Sequence, residues 1–312
     1  MSNFAEKFNC LIVLGPTAVG KTSIGVALAD HFNGEVISAD SRQTYRYLDI
    51  GSGKDLDEYN VDGRPVPYHL IDIIELPAEY NVYNYQQDFY RVFKDITARG
   101  KLPVVVGGTG MYIDAIVRDY QLVIMPEDKE LHAQLEARPL EELAARLLKE
   151  QPELHTKNDL LEKDRVIKAL EIIEAKKKGF DSTSIQRPDI RPYIIGTSLE
   201  RPKLWENISI RLKERLENGM IEEVQGIHDK GISWERLEKL GLEYRFCSLY
   251  LQGKIESKDE LYEKLFIAIR QFAKRQETWF RMMQKKGVEI NWLSPGTKAQ
   301  RIAEAVALIS EL

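Results

Sequence analysis

The stretch GPTAVGKTS, Gly15–Ser23, decides how the rest of the chain is interpreted. It follows the apolar run Cys10–Leu14 and precedes Ile24–Phe32, whose residues favour a helix. A strand, a glycine-rich turn with the pattern G-x-x-x-x-G-K-[ST] and a helix are typical of a loop that binds phosphate groups through backbone N–H groups. We therefore expect Lys21 to reach a terminal phosphate and Thr22 to place its hydroxyl on Mg²⁺ or a phosphate oxygen.

Short apolar runs alternate with helical patterns in the first third of the chain. The runs that we interpret as strands are Cys10–Leu14, Glu35–Ala39, Tyr68–Ile73, Leu102–Val106 and, much later, Tyr193–Thr197. Runs rich in β-branched residues and separated by helices indicate crossover connections and a parallel sheet. The sequence therefore predicts an α/β fold, with a P-loop NTPase-like parallel sheet flanked by helices.

A change in sequence pattern marks a second part of the chain. Between residues 120 and 191 β-branched clusters are few, and long charged helical patterns cover Glu130–Glu150 and Leu160–Lys178. We interpret residues 120–191 as a helical domain inserted into a catalytic core made of residues 1–119 and 192–312. The segment Gln186–Pro192 is the expected exit linker.

Composition restricts the class of protein. The chain has 312 residues and a formal net charge of −5, which argues against a protein that binds nucleic acid over its whole surface. Any nucleic-acid site must be a local patch. Its two cysteines, Cys10 and Cys247, are far apart and favour neither a disulfide framework nor a zinc site. No signal peptide or membrane-spanning run is visible, so we expect a cytoplasmic protein without a membrane partner.

Candidate site residues follow two further strands. Asp40 and Ser41 come directly after the second strand, where the carboxyl ends of parallel strands border the ligand crevice, so Asp40 should face the phosphate loop. It could bind Mg²⁺ or accept a proton, or it could only cap a turn. The run Leu102–Val106 ends in Gly107–Gly110 rather than in the aspartate of many ATPases. Asp72, at another strand end, keeps a kinase reading open.

Basic residues form patterns on two predicted helices. Arg211 and Arg215 are four apart and share a face, where they either clamp phosphate or are solvated. At about 100° per residue, the late helix 266–287 places four cations in one stripe, with Phe272 and Trp279 on the apolar side. The cations of this basic stripe are Arg270, Lys274, Arg281 and Lys285. A solvated face is the alternative, but on an acidic chain the stripe is the best candidate for contact with a phosphate backbone.

Five stretches together carry a resemblance to a known family. They are GPTAVGKT (15–22), ISADSRQTYRYLDIGSGK (37–54), PVVVGGTGMY (103–112), IRLKERLENGMIEEV (210–224) and RQFAKRQETWFR (270–281). In this order, across nearly the whole chain, they resemble the tRNA dimethylallyltransferases, also called isopentenyl-tRNA transferases, of the bacterial type.

The resemblance implies transfer of a dimethylallyl group from dimethylallyl diphosphate to N6 of the adenosine on the 3′ side of the anticodon. The partners would be the tRNA anticodon loop and dimethylallyl diphosphate, the cofactor Mg²⁺, and the enzyme a monomer. The phosphate loop would then hold the diphosphate of the substrate rather than ATP.

The resemblance also implies roles for individual residues. Asp40 would be the general base, Thr22 would bind diphosphate and Mg²⁺, Arg215 and Lys21 would neutralise the leaving diphosphate, and Thr109 would contact the tRNA. The implied diphosphate site is Gly15, Pro16, Thr17, Ala18, Val19, Gly20, Lys21 and Thr22. The implied tRNA contacts, together with those of the basic stripe, are Asp40, Ser41, Arg42, Gln43, Thr109, Asp164, Arg165, Lys168, Arg245, Arg270, Lys274 and Arg281.

Some stretches depart from the family pattern, and other functions remain open. Gly241–Arg245 puts a glutamate where tRNA contacts are expected, Ser52-Gly53 replaces a Thr-Ala pair, and His155–Arg165 is longer than its usual counterpart. The alternatives are a small-molecule P-loop kinase, an adenylate isopentenyltransferase and a nucleotide-dependent binding switch.

Overall fold

Parallel strands form the centre of the larger part of the molecule. The computed structural model describes residues 2–122, 128–151, 159–179 and 186–312. Within them the strands are β1 Cys10–Leu14, β2 Gly34–Ser38, β3 Asn60–Val61, β4 Arg64–Pro65, β5 Tyr68–His69, β6 Leu102–Gly107, β7 Pro192–Gly196 and β8 Asn291–Trp292. A six-stranded sheet has the order β5-β2-β6-β1-β7-β8, and each of its pairings is parallel. The predicted parallel α/β fold is confirmed.

Helices make up much of the rest of the described chain, and several of them flank this sheet. They are α1 Ser2–Lys7, α2 Lys21–His31, α3 Val82–Ala98, α4 Gly110–Val117, α5 Lys129–Glu136, α6 Leu140–Glu150, α7 Lys163–Lys177, α8 Arg201–Glu217, α9 Met220–Asp229, α10 Trp234–Glu238, α11 Leu242–Leu251, α12 Lys258–Lys285 and α13 Lys298–Ser310. Apolar side chains of α2 and α13 pack with those of β1 and β6 in one buried cluster. Over the described ranges, no helix combines the length and the apolar character that a membrane span requires.

The third predicted strand is much shorter than its apolar run. Only Tyr68–His69 pairs with β2, whereas the expected strand extended to Ile73. Leu70 and Asp72 have φ angles of 62° and 56°, outside the extended region, so the chain leaves the sheet there. The N–H groups of Asp72 and Ile73 instead donate to carbonyls of the loop after β2. Hydrophobicity alone could not reveal this change of direction.

Contacts divide the chain into two compact units. One unit comprises Met1–Asp119 and Arg187–Leu312, and the other comprises Tyr120–Gln186, so residues 187–191 group with the larger unit and not with the expected insertion. In the smaller unit α5, α6 and α7 enclose an apolar cluster that includes Leu135, Leu143 and Leu170. The helical pattern expected over Glu130–Glu150 is split, because Pro139 has no N–H to continue a helix and disfavours helical geometry before it.

An ion network at the amino end of β2 stabilises the sheet. The buried Glu35 carboxylate accepts from the Arg99 guanidinium at 2.8 Å, and His69 lies 2.7 Å from the same oxygen. Hydrogen bonds from Arg99, and then from His69, lower the pKa of Glu35 from 4.5 to about 2 although burial opposes this shift. Asp95, which is exposed, holds the other side of Arg99.

We expect Glu35→Gln to lower the free energy of unfolding at neutral pH by about 1.5–3 kcal/mol, because it removes the buried carboxylate that makes hydrogen bonds with Arg99 and His69. The folded pKa of Glu35 lies below the unfolded value, so the carboxylate stabilises the fold above about pH 4.5 and loses this effect as the pH falls towards 2. Urea unfolding from pH 7 to pH 3 should therefore show the two proteins converging. Asp95→Asn is the exposed control and should change stability far less; a difference that does not vary with pH would contradict the assignment.

Candidate functional site

A cleft of about 740 Å³ opens at the carboxyl ends of β1, β2 and β6. Its lining comes from the loops that follow these strands and from side chains of α8, α11 and α12, all in the larger unit. Most of the residues selected from the sequence line it, namely Thr17, Ala18, Gly20, Lys21, Thr22, Asp40, Ser41, Arg42, Gln43, Thr109, Arg215 and Arg245. Asp40 therefore lies in the same cleft as the phosphate loop.

The loop before α2 has the tight geometry that its glycines permit. Gly20 has a φ of 81°, and a Cβ on Gly15 would lie 2.2 Å from the carbonyl oxygen of Thr197. A side chain at Gly15 would clash with Thr197, and one at Gly20 would be strained by the left-handed backbone there. Lys21 opens the helix and donates from Nζ to the Pro16 carbonyl at 2.6 Å. Gly15, Pro16 and Val19 form the back of this loop and do not line the cleft.

Cations are concentrated beside this loop. Burial, followed by the charge of Arg211, lowers the pKa of Lys21 from 10.5 to about 8, although Asp40 opposes the shift. Burial and then the charge of Arg215 lower the pKa of Arg211 to about 10. Arg211 also donates to the hydroxyl of Thr17, within the loop itself. The sequence left the role of Arg211 open, and the structure brings it into the lining of the cleft.

Arg215 reaches the cleft because a glycine makes room for it. The guanidinium lies against Gly53, where an added Cβ would be 1.8 Å from Nη2, and the φ of Gly53 is 64°. Asp55 Oδ2 is 3.9 Å from the same nitrogen. The Ser52-Gly53 pair, a departure from the family pattern, thus gives Arg215 its place. A larger residue at position 53 would displace the guanidinium.

The loop after β2 presents Asp40 on an ordered turn. Asp40 Oδ1 accepts from the N–H of Arg42 at 2.8 Å, and Thr109 Oγ1 accepts from the N–H of Ser41 at 3.1 Å. Asp40 therefore caps a turn and also lines the cleft. Gln43 is buried and uses its carboxamide internally, accepting from Ser38 and donating to the Gly53 carbonyl. This internal bonding leaves Gln43 less suited to RNA contact than its neighbours.

Helix α12 connects the phosphate loop to the end of β6. The carboxamide of Gln276 accepts from the N–H of Thr17 at 2.8 Å and donates to the Gly108 carbonyl at 2.8 Å. Phe272 and Trp279, expected on the apolar side, line the cleft, and Phe272 is 38% exposed. Arg275 lies over the ring of Phe272. The quoted motif contained these residues, but only the fold shows that Gln276 bonds to the phosphate loop and that the others line the cleft.

The basic stripe lies on the opposite face of α12 from the cleft. Arg270 is 4.8 Å from the ring centre of Trp205 and Lys274 is 5.9 Å from it. Arg281 lies 3.8 Å from Glu277, so this cation has an acidic neighbour one turn away. Arg270, Lys274 and Arg281 do not line the cleft. Any RNA contact by the stripe would be made outside it.

The remaining candidates lie in other parts of the fold. Asp164, Arg165 and Lys168 lie on the exposed face of α7 in the smaller unit, where Arg165 pairs with Glu162. The first part of the long His155–Arg165 stretch falls outside the described residues. Gly241, Leu242, Glu243 and Arg245 line the cleft, and the φ of Gly241 is 126°. Asp72, which kept the kinase reading open, pairs with Lys54 and does not line the cleft.

Two family models together match most of the chain. A family model described as "IPP transferase" matches residues 43–283, and one described as "Isopentenyl transferase" matches residues 8–64. The tRNA dimethylallyltransferase 2 of Treponema denticola is 51% identical, with 93% of this chain and 97% of that protein covered. The tRNA dimethylallyltransferase 1 of Syntrophus aciditrophicus is 48% identical, with 91% and 93% covered.

Solved structures share the fold. The tRNA isopentenylpyrophosphate transferase of Bacillus halodurans is 32% identical, with a TM-score of 0.70 and coverage of 97% of this chain and 96% of that one. A eukaryotic dimethylallyltransferase acting on tRNA gives a TM-score of 0.78 at 22% identity, with 97% of this chain and 79% of that one covered, and this likeness concerns the fold alone. The P-loop NTPase-like class expected from the sequence is confirmed.

We expect Gln276→Ala to lower the free energy of unfolding by about 1–2 kcal/mol, because the Gly108 carbonyl and the Thr17 N–H both lose a buried partner. Urea unfolding monitored by circular dichroism would measure the change. Gln271→Ala is the matched control, since Gln271 is exposed on the same helix. Equal effects of the two substitutions would show that the bridge contributes nothing specific.

Proposed function

The chain belongs to the tRNA dimethylallyltransferase family, and from that premise we propose that it transfers the dimethylallyl group of dimethylallyl diphosphate to N6 of the adenosine 3′ to the anticodon in tRNA. One observation carries the assignment to this cleft. Lys21, Arg211 and Arg215 gather at the phosphate loop, and the Asp40 carboxylate lines the same cleft. Such a cleft suits an anionic leaving group beside a nucleophile that must lose a proton.

The diphosphate binds at the loop Gly15–Thr22 in this proposal. Backbone N–H groups at the start of α2 and the positive end of that helix favour a phosphate anion. Lys21 and Arg215 neutralise the leaving group, and Arg211 reinforces them from beside Thr17. Because two linked phosphates present the same oxygens as the end of a nucleotide, the loop accepts the prenyl substrate without ATP.

Asp40 acts as the general base. The N6 lone pair forms a bond to C1 of the dimethylallyl group while the C1–O bond breaks, its electrons leave with the diphosphate, and the N6 proton passes to Asp40. Allylic cleavage develops positive charge on carbon and negative charge on the leaving oxygen, so cations at the loop stabilise the transition state more than the ground state. The reaction requires no covalent nucleophile on the enzyme.

Mg²⁺ fits the donors at this place. Mg²⁺ prefers oxygen ligands and is usually held by one or two protein groups together with substrate phosphates. Thr22 supplies a hydroxyl to the cleft, and the Asp40 carboxylate is left free to accept the proton. Among the described residues there is no cluster of three His, Cys, Asp or Glu side chains suited to a metal, so in this proposal the substrate oxygens complete the set. When bound, the ion would neutralise diphosphate charge.

The tRNA reaches the cleft with its target base extruded, because N6 is otherwise stacked away from the donor. We propose that Thr109 contacts the tRNA near this base. Its oxygen accepts from Ser41, and a hydroxyl that accepts one hydrogen bond still has a proton to donate. Ser41, Arg42 and Arg245 are proposed as tRNA contacts at the cleft, and Asp164, Arg165 and Lys168 as tRNA contacts on α7. Gln43, whose carboxamide is bonded internally, would support its neighbours rather than bind RNA itself. In this proposal the enzyme acts as a monomer in the cytoplasm.

The decisive assay separates this function from an ATP-dependent kinase or switch. Purified protein is incubated with radiolabelled dimethylallyl diphosphate, Mg²⁺ and unmodified tRNA, and label in the RNA is counted. We expect labelled tRNA without ATP, whereas AMP offered as the acceptor should take up little label. Strict dependence on ATP with unlabelled RNA would reject the prenyl transfer, and preferential labelling of AMP would favour an adenylate isopentenyltransferase.

In the same assay we expect Asp40→Asn to lower kcat by about 10²–10⁴ while the Kd for tRNA stays nearly unchanged, because only proton transfer is lost. Asp57→Asn is the control, since Asp57 is exposed nearby and does not line the cleft. Turnover by Asp40→Asn equal to that of the wild type would remove Asp40 from the role of base.

The basic stripe makes a separate prediction. We propose that Arg270 and Lys274 contact the RNA backbone outside the cleft, so changing both to Gln should weaken tRNA binding and reduce the slope of log K against log salt by about 1–2. Lys264→Gln is the control, because Lys264 pairs with Glu260 at 2.6 Å on the same helix and lies off the stripe. Filter binding over a range of salt concentrations measures the slope. An unchanged slope would show that the stripe is a solvated face that does not contact RNA.

A further inference from the structure

Arg301, on the last helix α13, is a buried cation that the proposed reaction has not yet used. It is 5% exposed, and Nη1 donates to the Val19 carbonyl and to the Thr197 hydroxyl, each at 2.6 Å. Among the residues that the structure describes, no carboxylate lies within ion-pair distance of it. Burial lowers the pKa of its guanidinium. A buried charge without an opposite charge is unfavourable unless another group supplies one.

The position of Arg301 suggests which group supplies the opposite charge. A Cβ built on Gly20 would lie 3.7 Å from Nη2, so the guanidinium lies directly behind the phosphate loop. Thr197, its other partner, follows β7, and its carbonyl packs against Gly15 at the start of the same loop. The loop is therefore held between the cleft in front and Arg301 behind.

The hydrogen bond to Val19 also sets the direction of a backbone donor. In a planar trans peptide the C=O and the N–H point in opposite directions. The Val19–Gly20 peptide is trans, and its carbonyl points to Arg301. The N–H of Gly20 consequently points away from α13, and Gly20 lines the cleft.

We propose that Arg301 is a positioning residue for the diphosphate: it fixes the Val19–Gly20 peptide so that the Gly20 N–H faces the phosphate oxygens, and the bound anion compensates its charge. The inference deepens the proposed function and rests on it. The family model that covers most of the chain ends at residue 283, before α13. The interaction is visible only in the fold, because the contacting residues are 282 positions apart.

Another arginine offers a matched control. Arg236 donates to the Ala78 carbonyl at 2.8 Å and to the Tyr45 hydroxyl at 3.3 Å. In both Arg236 and Arg301, the buried Nε has no hydrogen-bond partner among the described residues. The side chain of Arg236 is only 19% exposed, but it does not line the cleft. Loss of Arg236 therefore removes bonds to a carbonyl and a hydroxyl, together with a 3.9 Å contact with Glu79, without changing a residue that lines the cleft.

The test compares Arg301→Met, Arg301→Lys and Arg236→Met. Calorimetry measures the Kd for inorganic diphosphate with Mg²⁺, thermal unfolding confirms the fold, and filter binding gives the Kd for tRNA. We expect Arg301→Met to raise the Kd for diphosphate about tenfold or more, as for the loss of a charge-assisted bond, and Arg301→Lys to recover part of the affinity. Binding of tRNA should be unchanged. Arg236→Met should bind diphosphate as the wild type does.

In protein labelled with ¹⁵N-glycine, diphosphate should shift the Gly20 amide signal strongly in the wild type and weakly in Arg301→Met.

Each outcome decides the inference. A folded Arg301→Met protein with wild-type diphosphate affinity overturns it, and so does an equal loss of affinity in Arg236→Met. If Arg301→Met does not fold, Arg301→Lys decides, and wild-type affinity and Gly20 shift in that variant overturn the inference. Wild-type protein that binds diphosphate with the expected variant pattern, but transfers no label to tRNA, supports the role of Arg301 while rejecting the proposed function.

Discussion

Repulsion among cations that are packed at the start of α2 is the constraint on which the site depends. Lys21, Arg211 and Arg215 are half-buried in the wall of the cleft, where burial lowers the pKa of Lys21 and of Arg211, and Arg301 lies behind the same loop. Like charges in such surroundings raise the free energy of the empty site, and an anion with adjacent phosphates lowers it. The electrostatic groups are therefore in place before the substrate binds, so no reorganisation is needed when charge develops on the leaving oxygen.

Holding these cations together requires support from distant parts of the fold. Glu223 on α9 accepts from the N–H groups of Asp49, Ile50 and Gly51 at 2.7–3.1 Å, and from the Tyr244 hydroxyl at 2.8 Å. One carboxylate thus fixes the loop that carries Gly53, against which Arg215 lies. The stretch 210–224, quoted for the resemblance, therefore contains both a cation of the cleft and the carboxylate that orders the opposite loop.

Local sequence patterns predicted the parts of the site that depend on local geometry. The loop Gly15–Thr22 and Asp40 follow strands, and residues that follow parallel strands meet at one sheet edge. Gln276 and Arg301 could not be assigned in this way, because they bond to residues 259 and 282 positions away. Periodicity also placed Phe272 with the buried residues, although it lines the cleft, since a cleft wall is as apolar as a core.

The fold, like the site, was predicted where it depends on local sequence patterns. The strands and their parallel pairing follow from continuous apolar runs, which are typical of strands buried on both faces. The end of β5 was missed because positive φ angles at Leu70 and Asp72 leave no hydrophobic signal. Pro139 indicated the break before α6, but the helical spacing of the charged residues around it favoured one continuous helix. Such errors change element lengths without changing the order of the sheet, so the loops after β1, β2 and β6 still meet at one edge.

In the proposed reaction, helix α12 would align both substrates. Its cleft face bonds through Gln276 to Thr17 in the phosphate loop and to Gly108 at the end of β6, and its opposite face carries the basic stripe. In-line attack requires the reacting atoms to be held close together, and a displacement of about 1 Å is costly to the rate. A single helix of 28 residues that contacts the diphosphate loop and the proposed RNA surface restricts such displacement, because neither can move without the other.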